Sequence, residues 1–341
     1  MAVADELRAS GAEVSFLGTR ERIEAELVPA AGYEIDFVKV RGIDRRNPLR
    51  AARAGAEALG AVGAARKVLR RRGADVVMGG GGYVAGPAGL AATLTRTPLV
   101  LTEADSHLGL ANRLLARRAR RVCLAFPLPG REGEPYLVTG RPVPRAVLEG
   151  DRETARERFG IAAEARCLLV FGGSQGARSI NLAAFEAFAE RDGRDFDVIH
   201  IAGTRDFPEL EPRLAAAPGG DRYTLLPYEP DLGDALAAAD LVLARSGGSI
   251  FEVVAVGRPA ILVPFPYATG DHQTANAEWM RSAGAASVIP DAELSAERLQ
   301  AEVASVLESA SRLEAMATAA RALAKPDAAR QIADQILEAA R

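Results

Sequence analysis

Cysteine is nearly absent: the 341-residue sequence holds two, Cys123 and Cys167, far apart in runs that read as strands. That spacing excludes a disulfide framework and a cysteine-based metal cluster, so both are expected to be reduced core residues. No apolar run reaches the roughly 20 residues of a bilayer-spanning helix. Nothing at the N-terminus resembles a signal peptide, and a cytoplasmic chain is expected. With 48% hydrophobic and 26% charged residues, the chain can bury ordinary cores and is not of the disordered class. Its length favours two domains.

Net charge is small, at −3, yet charge is unevenly spread. Residues 1–145 hold 23 Lys and Arg against 15 Asp and Glu, a net of +8, which leaves −11 for the remainder. Such asymmetry points the first half toward an anionic surface, or else marks a solvated basic face. Between Lys39 and Arg72 stand 11 basic residues and two acidic ones, Asp44 and Glu57, with Leu49, Leu59, Val62 and Leu69 among them. This segment could lie on anionic lipid head groups. It also reads as a helix opened by Pro48 whose apolar residues face a sheet, and the two uses can occupy different faces.

Strand-like and helix-like runs alternate throughout, which predicts the α/β class with parallel sheets. Residues 2–10 are helical in composition and 13–17 alternate as a strand, with no strand ahead of that helix. The chain is therefore expected to begin inside the first helix of its fold, without the first strand. Glycine-rich or polar turns follow several strands, where open α/β sheets bind ligands. One is Gly79-Gly80-Gly81-Gly82, and another is Thr102-Glu103-Ala104-Asp105-Ser106-His107. Proline and glycine at 140–144 mark a domain boundary. Beyond it, 166–171 leads into Gly172-Gly173-Ser174-Gln175-Gly176-Ala177-Arg178, a candidate phosphate cradle. Its glycine spacing is not that of the dinucleotide fingerprint, and it lacks the Gly-Lys-Ser/Thr ending of a Walker loop. His200 lies inside a strand and reads as a core residue or as one that supports a site residue from behind. At 240–252 a buried strand meets Arg245-Ser246-Gly247-Gly248-Ser249 and then a helix carrying Glu252. This is either an ordinary βα turn or an anion-binding turn whose glutamate accepts hydrogen bonds from a diol. Asp271, Gln273 and Asn276 begin a later helix and suit sugar hydroxyls. Asp195-Phe196-Asp197 has a metal-binding spacing but precedes a strand, and no metal is expected there.

Taken together, GGGGYVAGPAG, GLANRLLA, GRPVP, FGGSQGARSIN, RSGGSIFE, DHQTANA and the closing Lys325-Pro326-Asp327-Ala328 resemble the MurG family over nearly the whole chain. That resemblance implies two Rossmann-like doubly wound domains (the GT-B fold) with the ligand cleft between them. Residues 1–142 would form an acceptor- and membrane-facing domain lacking its first strand, and 143–325 a UDP-sugar domain. The helix at 326–341 would pack back on the N-terminal domain. The implied reaction moves N-acetylglucosamine from UDP-N-acetylglucosamine to the C4 hydroxyl of the muramoyl sugar of undecaprenyl-linked lipid I, giving lipid II with inversion. The implied location is the cytoplasmic face of the cell membrane, on its anionic surface. No cofactor, tightly bound metal or nucleic-acid partner is expected.

By motif position, Ser174, Gln175 and Gly176 would hold the diphosphate and Glu252 the ribose. Gln273 would meet the N-acetylglucosamine hydroxyls, with Arg245, Gly247, Gly248 and Ser249 near sugar and phosphate. The family's Gly-Gly-Thr-Gly-Gly-His loop has no counterpart in this sequence, so the general base stays unassigned with Glu103 as the candidate. Asp105 stands where an asparagine would contact the donor sugar. The chain as given is expected to bind the donor and to turn over poorly or not at all. Alternatives are another GT-B glycosyltransferase, a UDP-sugar 2-epimerase, or a donor-binding inactive fragment. An NAD-dependent oxidoreductase ranks behind these for want of its fingerprint.

Overall fold

Short apolar runs ending at glycine, proline or a polar turn fold as parallel strands, and the longer runs between them as helices. The computed structural model describes residues 1–40, 48–173 and 177–341, with the side chains of all but 48–56, 58 and 269. The site candidates Ser174, Gln175 and Gly176, and the 41–47 part of the basic segment, lie outside the described residues. The chain divides into two compact units, Met1–Pro142 with Asp327–Arg341, and Val143–Pro326.

The first unit runs α1 (Ala2–Ala9), β1 (Ser15–Gly18), α2 (Glu24–Ala30), β2 (Glu34–Phe37), α3 (Pro48–Arg72), β3 (Val77–Gly79), α4 (Gly82–Thr95), β4 (Leu99–Glu103), α5 (Leu110–Leu115), β5 (Arg121–Leu124) and β6 (Tyr136–Val138). Among the described residues its strands form two parallel sheets, β1-β2 and β3-β4-β5-β6. Part of the basic segment is spent inside this unit. Arg71 and Arg72, in the last turn of α3, form ion pairs with Asp36 on β2, and Arg72 also pairs with Glu34.

The second unit continues with α6 (Arg145–Leu148), α7 (Arg152–Phe159), β7 (Arg166–Phe171), α8 (Arg178–Phe188), β8 (Phe196–Ile201), α9 (Phe207–Leu214), β9 (Tyr223–Leu226), α10 (Leu232–Ala238), β10 (Leu241–Ala244), α11 (Ile250–Ala255), β11 (Ala260–Leu262), α12 (His272–Ser282), β12 (Ala286–Val288), α13 (Ala296–Leu307) and α14 (Ala310–Leu323). Its six strands are all parallel, in the order β12-β11-β10-β7-β8-β9. Leu168, Val170, Leu241, Leu243 and Ile261 from the sheet pack with Ile180, Ala184 and Phe185 of α8 and Leu299 and Val303 of α13. The N-terminal end of β10 is pinned by Asp240, which takes Arg152 at 2.6 Å, Arg156 at 2.9 Å and the Cys167 N–H at 2.9 Å. Arg152, Arg156 and Arg258 also donate to the last carbonyls of α10, which a helix cannot satisfy itself.

After α14 the chain returns to the first unit as α15 (Ala328–Ala340). Ile332, Ala333 and Ile336 pack there with Val3 and Leu7 of α1 and with Val100 and Cys123 of the sheet. Arg121 Nε adds a hydrogen bond to Gln335 Oε1 at 2.9 Å. Both cysteines are free and buried, and burial pushes each thiol up to about 12.

Candidate functional site

The strand order of the second unit reverses between β7 and β10: β8 and β9 are added on one side, β11 and β12 on the other. Turns at such a switch point diverge and leave a crevice at the C-terminal ends of the strands. Phe171 pairs with Ala244, so the Gly172 turn and the Arg245 turn leave the sheet side by side. The two anion-binding candidates of the sequence therefore flank the place where this fold type opens.

Side chains lock these turns. Arg245 Nη1 donates to the carbonyls of Val263 and Pro264 at 3.1 and 3.2 Å, and Nη2 to Ser179 Oγ at 2.8 Å. Asp291 Oδ1 lies 2.6 Å from Arg245 Nη1 and accepts from Ser179 Oγ at 2.7 Å. The guanidinium stacks over the Phe265 ring, 5.4 Å from its centroid. Ser246 is buried, donates through Oγ to the Gln273 carbonyl at 2.7 Å, and accepts at its own carbonyl from Asn276 Nδ2 at 2.9 Å. Asn276 is 3% exposed, so it holds the turn rather than facing outward to read a sugar.

Gln273 is half-buried, and its Oε1 accepts the Phe265 N–H at 2.9 Å. That bond fixes the amide orientation and leaves Nε2 toward Gly247, 3.9 Å from where a Cβ there would stand. Asp271 precedes α12 in a left-handed conformation, φ 54°, and accepts from the Thr274 hydroxyl at 2.6 Å without capping a backbone N–H. Glu252 follows as the third residue of α11, half-buried. Ser246, Gln273 and Asn276 thus belong to one hydrogen-bonded cluster beside Arg245, with Gly247, Gly248, Ser249 and Glu252 continuing along the same turn and helix.

The corresponding edge of the first unit carries the other candidates. Gly81 and Gly82 both have positive φ, 81° and 74°, a conformation that penalises any residue with a Cβ. A Cβ on Gly79 would stand 2.8 Å from Leu101 Cδ2. Backbone shape and packing therefore account for three of the four glycines. Glu103 ends β4 with its carboxylate inward. Its Oε2 accepts from Gly109 N–H at 2.7 Å and Asn112 Nδ2 at 2.9 Å, and Oε1 from Asp105 N–H at 3.3 Å. That geometry closes the 104–109 loop. Asp105 and His107 stand exposed on it.

Sequence reasoning gives no role to Ser179 or Asp291, and it places Ser246 in the turn without its inward bonds. Asp291 follows Pro290 some distance down the chain, and no local pattern ties it to Arg245. Among the described residues no group of three or more His, Cys, Asp or Glu is placed to hold a metal, and no helix is long and apolar enough to cross a membrane.

Comparison with known proteins agrees with this architecture. The glycosyltransferase family 28 N-terminal domain matches residues 1–124 and the glycosyltransferase family 28 C-terminal domain residues 167–332. The UDP-N-acetylglucosamine–N-acetylmuramyl-(pentapeptide) pyrophosphoryl-undecaprenol N-acetylglucosamine transferase of Methylococcus capsulatus is 41% identical, with 100% of this chain and 94% of the relative covered. The protein of the same name from Alkalilimnicola ehrlichii is 43% identical over 100% and 95%. The crystal structure of Acinetobacter baumannii MurG superposes with a TM-score of 0.79 at 31% identity, covering 99% of this chain and 94% of that one. The fold is accordingly the two-domain GT-B fold, and the chain belongs to glycosyltransferase family 28, within the MurG family of N-acetylglucosamine transferases.

Proposed function

We propose that this chain is an inverting glycosyltransferase. It moves N-acetylglucosamine from UDP-N-acetylglucosamine to the C4 hydroxyl of the muramoyl sugar of undecaprenyl-pyrophosphoryl-MurNAc-pentapeptide. The hydroxyl oxygen gives up its proton to solvent and forms a bond to the anomeric carbon from the face opposite the diphosphate, the bond to the diphosphate oxygen breaks, and UDP leaves. No covalent enzyme intermediate is needed, so positioning and stabilisation of the leaving diphosphate carry the rate.

The observation that carries this reading is the pair of turns flanking the β7/β10 switch point, the Arg245 turn being stitched to the start of α12 through Ser246 and Gln273. Ser174, Gln175 and Gly176 with Gly247, Gly248 and Ser249 hold the diphosphate and the sugar. Glu252 accepts from the ribose hydroxyls, and Gln273 offers Nε2 to the sugar. Arg245 belongs to the same site, and Glu103 acts by closing its loop, beside which the exposed Asp105 can meet a sugar hydroxyl. No metal is required by these roles. The basic stretch of α3, with Arg66, Lys67 and Arg70 and the exposed Leu59, supports peripheral binding to the anionic cytoplasmic face of the membrane. Roughly 40% identity to the curated transferases along the whole chain supports the acceptor assignment.

The direct experiment incubates the purified chain with radiolabelled UDP-N-acetylglucosamine and a lipid I analogue in detergent. The expected outcome is label in a disaccharide-lipid product together with free UDP. Release of UDP with no labelled lipid, or epimerised nucleotide sugar in place of transfer, would overturn the proposal.

A further inference from the structure

Four connections of the second unit meet at one side chain. Arg245, just past β10, reaches Ser179 in the first turn of α8, the Val263 and Pro264 carbonyls after β11, and Asp291 after β12. Ser179 and Asp291 close the triangle with their own 2.7 Å hydrogen bond. A guanidinium has five N–H donors in a fixed fork. Here both terminal nitrogens are engaged, one face lies over Phe265, and the charge is met by a carboxylate at 2.6 Å. The side chain is 11% exposed. A cation so occupied has little left with which to attract a phosphate.

We propose that Arg245, Ser179 and Asp291 act as a clamp of positioning residues. It fixes the start of α8 against the turn that starts α11, and this role replaces a direct phosphate contact by Arg245. The inference rests on the donor-site reading above and assigns Asp291 and Ser179 a function in it. The physical argument is one of tolerance. Backbone amides grip a diphosphate only when they point at its oxygens within a fraction of an ångström. Two turns on neighbouring strands keep that geometry only if something ties them together beyond the sheet. The triangle does so with hydrogen bonds that carry charge, the stronger kind.

A direct ligand and a clamp respond in opposite directions to loss of the counter-charge. Asp291→Asn leaves Arg245 more positive toward its surroundings. If Arg245 touches the diphosphate, UDP should bind as well or better. If the triangle is a clamp, UDP should bind worse. Titration calorimetry of the full chain with UDP and with uridine reads this difference. The clamp predicts that Asp291→Asn and Ser179→Ala each weaken UDP about tenfold or more while changing uridine less than threefold. Ser179→Thr, which keeps the hydroxyl, should retain UDP affinity within threefold. The double variant should be no weaker than about the worse single one, because the three residues act as a unit. Melting curves alongside would separate these effects from unfolding, and uridine binding serves as the second check on fold. A wild-type chain that gives no UDP binding overturns the donor reading and this inference with it. A wild-type chain that binds UDP while Asp291→Asn and Ser179→Ala keep or improve that affinity overturns the clamp alone.

Discussion

The imidazole of His200 is wholly buried, with Tyr223 Oη 2.7 Å from Nδ1 and Asn181 Oδ1 3.1 Å from Nε2. Asn181 Nδ2 donates to the Ala202 carbonyl and to Asp206 Oδ2, so Oδ1 is the accepting end. Nε2 therefore carries the hydrogen, and Nδ1 accepts from the tyrosine. Burial holds the His200 pKa down at about 3, well below the ordinary 6.5. As pH falls from about 6.5 toward 3, the unfolded chain gains a proton at this residue that the folded chain refuses, and stability declines. His200→Gln removes that linkage, at up to a few kcal/mol. Denaturant midpoints at pH 7 and pH 4.5 should drop further for the wild type than for the variant. Equal drops would show that His200 is not buried neutral. The core placement of His200 was legible from its position within a strand. Its partners were not, because Asn181 and Tyr223 lie 19 and 23 residues away and meet it only through the β7-β8-β9 order.

Local pattern specifies an element but seldom what it packs against. The final helix was legible from its Pro326-Asp327 start. Its seat on α1 depends on a distant partner and is known only from the packed structure. Truncating Ile332 to Ala should cost roughly 2–5 kcal/mol, the usual range for a buried large aliphatic side chain, read as a lower denaturation midpoint. An unchanged midpoint would contradict this docking. The 104–109 loop offers a second case. The family resemblance makes Glu103 the candidate base, and the structure turns its carboxylate toward two amides of its own loop and the Asn112 side chain of α5. Glu103→Ala should speed amide hydrogen exchange at Asp105 and Gly109 and cost about 1–3 kcal/mol locally. Exchange rates matching the wild type would remove this closure role.

At the scale of the molecule, the alternation of strand and helix fixes the α/β class because each period is local. The order β12-β11-β10-β7-β8-β9 is set by pairings between distant strands, and no short stretch reports it. That order turns two glycine-rich turns, each explicable alone as an ordinary βα connection, into neighbours across a switch point. The cluster of Ser246, Gln273 and Asn276 was half legible: the residue types suited a sugar, while the inward use of Asn276 emerged only once α12 was set beside the turn. The central claim is that this edge of the second unit is a UDP-sugar site. Calorimetric titration of UDP into the full chain, wild type beside Glu252→Ala, tests it most directly. The account predicts saturable binding by the wild type and a loss of roughly 1–3 kcal/mol in the variant, from a few-fold to about a hundredfold in Kd. No heat of binding to the wild type, or the same Kd for both chains, would contradict it.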